Sequence, residues 1–82
     1  MNDFKIRIKA PVLNKDMLVL LPGHCASDAQ AFAQVTSKDI ASRTANTAGS
    51  PSCFVELLQG QTVMETYQTQ RGVVSITSRL FL

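Results

Sequence analysis

Pro22-Gly23-His24-Cys25-Ala26-Ser27 holds the only histidine of the chain, one of its two cysteines and the approach to a helix. A thiol near a helix N-terminus can have a lowered pKa, and an adjacent imidazole can take its proton; together they make a thiol nucleophile. Adjacent residues in a tight loop usually point apart, however, and no third group stands by to orient the imidazole. A thiol enzyme at His24 and Cys25 is therefore the most distant functional reading, and no catalytic residue is expected. A metal centre fares no better. His24, Cys25 and Cys53, with Asp28 in reserve, match no standard zinc spacing. Cys53 lies in an alternating apolar stretch, where a small buried hydrophobe is the better account. The helix start offers backbone donors to an anion, but it lacks a glycine-rich fingerprint, and a capping Ser27 would already satisfy some of those donors. No cofactor and no metal are expected.

The sharpest feature is a basic strand face. Lys5, Arg7 and Lys9 alternate with Phe4, Ile6, Ile8 and Ala10, so three cations stand in a row where they can track phosphates. Arg71 and Arg79 are possible additions to a nucleic-acid surface. Single-strand binders add stacking aromatics to such a face. This chain has four Phe and one Tyr, most at core positions, with Tyr67 the one candidate for an open surface. The plainer account is that the cations solubilise an exposed face and guard an edge strand. Glu56 and Glu65 come from neighbouring expected strands. A turn at Gly60 would set residue 56 opposite about 64 or 65, and the two acids are expected offset, each near a Lys or Arg.

The elements that must position these groups follow from periodicity. Phe4 to Ala10 has the period of two of a half-buried strand, ended by Pro11. Asn14-Lys15-Asp16 reads as a turn. Met17-Leu18-Val19-Leu20-Leu21 is apolar throughout and stops at Pro22-Gly23, which suits a strand covered on both faces and paired antiparallel with the first. Ser27-Asp28-Ala29-Gln30 has the form of a capping box, so a helix is expected from about Asp28 to Ser42. Ala29, Phe32, Ala33, Thr36 and Ile40 share its inner face, with Phe32 as main anchor and small alanines that let the helix lie close to a sheet. Thr44 to Ser52 reads as a loop. Cys53 to Gln59 is a third strand, with Cys53, Val55 and Leu57 opposite Phe54, Glu56 and Leu58. Thr62 to Thr69 is a fourth, with Val63 and Tyr67 on one face and Met64 on the other. After a turn at Gln70-Arg71-Gly72, Val73 to Leu82 is a fifth. Its Val74, Ile76, Leu80 and Leu82 lie on one side and its Val73 and Phe81 on the other. No internal repeat appears.

The fold class expected is α+β: a two-layer domain spanning residues 1–82, with an antiparallel or mixed sheet of four to five strands and one helix on one face, in the order β-β-α-β-β-β. Composition agrees. The 45% hydrophobic content excludes a disordered tail, and no apolar run approaches the ~20 residues of a membrane helix. A net charge of +2 permits a nucleic-acid partner without indicating one. Met1-Asn2-Asp3-Phe4-Lys5 lacks the apolar stretch of a signal peptide and cysteine is scarce, so a reduced, cytoplasmic setting is expected.

One helix covers one face of a sheet, yet several strands carry apolar residues on both. That surplus needs a partner. Arg79-Leu80-Phe81-Leu82 adds three large apolar side chains, each worth ~1.5–3 kcal/mol if buried. The leading expectation is a small non-catalytic binding, adaptor or regulatory module, self-associating as a homodimer or binding another protein. Val73, Phe81 and Leu82 are its interface residues. The alternative is a nucleic-acid-binding protein using Lys5, Arg7 and Lys9. No membrane partner is expected.

Overall fold

The alternation of the first strand is realised in the computed structural model, which describes residues 3–10, 14–46 and 52–80. In β1 (Asp3–Ala10), Phe4, Ile6 and Ala10 are buried, while Lys5, Arg7 and Lys9 stand half-buried on the opposite face. β2 (Lys15–Pro22) runs back antiparallel, from Ala10 opposite Lys15 to Asp3 opposite Pro22. The chain reverses through Asn14 at φ 52, a left-handed conformation that Asn tolerates better than most side chains. Lys15 and Asp16, expected in the turn, are therefore strand residues. Pro11 and most of the expected loop, residues 47–51, lie outside the described residues.

α1 (Ala26–Thr44) follows, then β3 (Cys53–Gln59), β4 (Thr62–Gln70) and β5 (Val73–Arg79). All neighbouring strands are antiparallel, in the order β2-β1-β3-β4-β5. The helix packs chiefly on β3 and β4, less on β5 and β1. The fold is thus the expected α+β architecture, with a five-stranded sheet. None of its described helices is long and apolar enough to cross a membrane. The β4–β5 turn places both Arg71 (φ 53) and Gly72 (φ 79) in the left-handed region, as a two-residue hairpin whose twist matches the strands requires.

The helix corrects three expectations. Its N-cap is Cys25, with no side-chain cap hydrogen bond, so Ser27 is the second helical residue and the capping box with Gln30 does not form. Gln30 turns instead to the sheet. Phe32 is not the anchor; it is 41% exposed, its ring edge-on to His24 with centroids 6.2 Å apart. The buried stripe is Ala29, Ala33, Ser37 and Ala41, spaced four apart on one face. These small residues bring the helix backbone close to the sheet, whose own rings, Phe4 and Tyr67, fill the space between them. Ser37 sits in that stripe because its hydroxyl donates to the Ala33 carbonyl oxygen at 2.7 Å. The core beneath is Phe4, Ile6, Leu21, Val55, Leu57 and Tyr67.

Two bulges shift the face pattern. Between β3 and β4 the pairing passes from Leu57–Glu65 to Leu58–Val63, leaving Met64 extra. Val63 therefore shares the Leu58 face and not, as expected, that of Tyr67. Between β4 and β5 it passes from Tyr67–Ile76 to Thr66–Ser78, leaving Thr77 extra. Val74 and Ile76 share a face as expected. Beyond the bulge, Arg79 takes that face opposite Glu65, so the expected alignment of Leu80 with Val74 and Ile76 is broken. Phe81 and Leu82 lie outside the described residues.

Candidate functional site

The sheet face away from the helix is open. Lys5, Arg7 and Lys9 cross its middle on β1, with β2 on one side and β3 on the other. Because β1 is an inner strand, these cations do not guard an edge. Glu56 on β3 lies among them: its Oε1 is 3.2 Å from Lys9 Nζ and 3.6 Å from Arg7. That oxygen is buried and makes no aligned hydrogen bond, so the two cations balance it as charges. The turn residue Arg71 joins β4 to β5, on the far side of β3 from these cations, and Arg79 lies on the helix side. The structure thus brings Lys5, Arg7 and Lys9 together and keeps Arg71 and Arg79 apart from them. The aromatic beside the cations is half-buried Phe54, opposite Lys9, and not Tyr67, which is buried on the helix face.

Glu56 and Glu65 do not face each other. Glu56 is opposite Thr66 and Glu65 opposite Leu57, so the acids occupy opposite faces, each with a cation as expected. Glu65 is fully buried under the helix. Its Oε1 accepts from Tyr67 Oη at 2.9 Å and Gln30 Nε2 at 3.1 Å, and its Oε2 accepts from Arg79 Nε at 2.6 Å. Burial raises the Tyr67 phenol above the usual 10.0, and its hydrogen bond to Glu65 adds to this. The same carboxylate raises the Arg79 guanidinium further. With Tyr67 fully enclosed, this cluster ties helix to sheet. Sequence reasoning placed Glu65 near a cation but missed that it is buried. The available signal was Glu65-x-Tyr67, which puts both on one strand face.

In the loop before the helix, His24 and Cys25 turn to different partners. His24 Nδ1 is 3.4 Å from the Pro22 carbonyl oxygen, and the exposed Cys25 Sγ is 3.3 Å from Ser27 Oγ. Cys53 is buried on β3. Among the described residues no three metal-ligating side chains gather.

The largest uncovered apolar feature is β2. Contrary to the expectation of cover on both faces, β2 is an edge strand. Met17 is 55% exposed, Leu18 53% and Leu20 66%. On the helix side Leu21 is buried and Val19 packs on the core, but the Met17 end of β2 is uncovered, and an apolar groove of about 200 Å³ opens there, lined by Ile8, Ala10, Met17, Ile40, Cys53 and Arg43. Val73, at the other edge of the sheet, is also exposed. Comparison of the chain with protein-family models, with curated proteins and with solved structures finds no match.

Proposed function

We propose that this protein is a small non-catalytic protein-binding module that works by self-association through its sheet. The observation that carries this reading is β2: an eight-residue edge strand with three large apolar side chains more than half exposed. A monomer normally blunts such an edge with charge, proline or a bulge. Here the pairing of β2 with β1 is unbroken, and the charged residues Lys15 and Asp16 and the proline Pro22 stand only at its two ends, leaving Met17 to Leu21 unguarded. An adaptor or regulatory role in a reduced, cytoplasmic setting is part of the proposal, supported by the scarcity of cysteine. Sedimentation velocity on the full chain at micromolar concentration is the test. A dimer is expected; a monomer across the whole range overturns the reading.

One observation favours a second function: Phe54 lies beside Lys9 on the open face, as a base-stacking ring beside a phosphate-binding cation would. Glu56 counts against it, since it already balances Arg7 and Lys9. Titration with single-stranded oligonucleotides at two salt concentrations decides: binding that weakens steeply with salt supports it, and no binding at low salt removes it.

A further inference from the structure

We infer that the occupant of the β2 edge is a second copy of the chain, paired antiparallel about a two-fold axis through Val19, so that two five-stranded sheets become one; this rests on the self-association proposed above. The argument is one of register. Residues directly opposite in an antiparallel pair share a face, so a symmetric pair must place a residue on its axis. With Val19 there, Met17 faces the partner's Leu21 and Leu18 faces the partner's Leu20. The five apolar residues of each copy then meet only one another. Asp16 and Lys15 fall beyond them, opposite the partner's Pro22 and Gly23. With Leu18 on the axis, Asp16 would face the partner's Leu20 and Lys15 the partner's Leu21. With Leu20 on the axis, Leu18 and Met17 would face the partner's Pro22 and Gly23, so two of the five apolar residues would lose their apolar partners. The Val19 register alone satisfies the whole apolar run.

Charge agrees with this. Each copy carries +2, but the paired stretch carries none. Lys15 falls at the strand end beside Asp16, and the cations flanking the apolar run, Lys5 and Arg7, lie one strand inward, beside Leu20 and Leu18. Across the joint Lys5 and the partner's Arg7 are three strand spacings apart, about 14 Å, beyond the screening length at physiological salt. The other edge is less suited. β5 also exposes Val73, Ile76 and, just past its end, Leu80, but Ser75, Thr77, Ser78 and Arg79 interrupt them and the strand is bulged at Thr77, which disturbs a flat pairing edge.

Two double variants test the register on exposed positions. Leu18→Lys with Leu20→Lys sets an ammonium opposite an ammonium at two symmetric places and is expected to weaken the dimer by about 30-fold or more. Leu18→Lys with Leu20→Glu sets an ammonium opposite a carboxylate and is expected to remain dimeric. If both stay dimeric while the parent is a dimer, self-association stands but uses another surface, and the β2 inference falls. If both become monomers with unchanged circular dichroism, the Val19 register falls. A monomeric parent overturns both this inference and the reading beneath it. Should either variant fail to fold, Val19→Cys in a Cys25→Ser chain supplies a separate measure. Its Cα atoms would lie within disulfide reach of each other, so mild oxidation should yield a covalent dimer, whereas Val73→Cys in the same background should not. No cross-link at Val19 overturns the register.

Discussion

Arg79 Nε stands 2.6 Å from Glu65 Oε2, directly across the β4–β5 pair, with the carboxylate wholly buried and the guanidinium side chain half in water. An ion pair divided in this way is asymmetric. The buried partner depends on the exposed one, because only the buried one has lost its solvent.

Arg79→Ala should therefore destabilise the fold clearly, because it leaves the buried Glu65 carboxylate without its cation, although solvent around the arginine moderates the loss. Arg43→Ala removes an ion pair of similar length, Arg43 Nε to Asp39 Oδ2 at 2.9 Å, but both groups are exposed one helical turn apart. That loss should stay within about 0.5 kcal/mol. Urea midpoints of the two variants check the difference, and equal losses would show that burial of Glu65 does not set the cost.

Tyr67 is the only tyrosine, so phenolate absorbance reports it alone. Its titration should lie above 10.0 in the folded chain. The sign of the stability effect follows. With the folded pKa raised, the contribution is complete below the unfolded value and is lost as pH rises through the folded one. Stability should decline above about pH 10, and Tyr67→Phe should flatten that decline. A midpoint at or below the usual value would contradict the buried hydrogen bond.

Thr69 is fully buried opposite Cys53, and its hydroxyl has no hydrogen-bond partner. Thr69→Val keeps the branched shape and strand preference while removing an unsatisfied oxygen. A gain of about 1 kcal/mol is expected, read as a higher melting temperature. A loss would mean that the hydroxyl is satisfied in solution.

The helix should respond to its stripe of small residues and not to its ring. Ser27→Ala, at a position that makes no cap, should change stability by less than about 0.5 kcal/mol. Phe32→Ala should fall well short of the ~3–5 kcal/mol of an enclosed phenylalanine. Ala33→Leu, at a fully buried position against the sheet, should cost about 1–3 kcal/mol through overpacking. Thermal unfolding of the three ranks them, and a larger loss at Phe32 than at Ala33 would contradict the close-packed interface.

By itself the sequence determined the local elements: the two-period alternation of Phe4 to Ala10 and Cys53 to Gln59, the turns at Gly60 and Arg71-Gly72, the one helix between strand pairs, and the single basic face of β1. Each depends on residues within a few positions, where side-chain period and turn chemistry act directly. Only the tertiary structure decided that Met17 to Leu21 lies at an edge, since an apolar run reads alike in the middle of a sheet and at its border. Strand order is set by which strands meet across the whole chain. It also decided that Tyr67 and Glu65 share the helix face while Val63 does not, and that Arg79 joins them. One extra residue at Met64 and another at Thr77 invert the alternation across each bulge, and a bulge is fixed by the partner strand it accommodates and not by the strand that carries it. For the same reason Phe32 could be placed on a helix by its neighbours, while its exposure depended on how closely Ala29 and Ala33 let that helix approach the sheet.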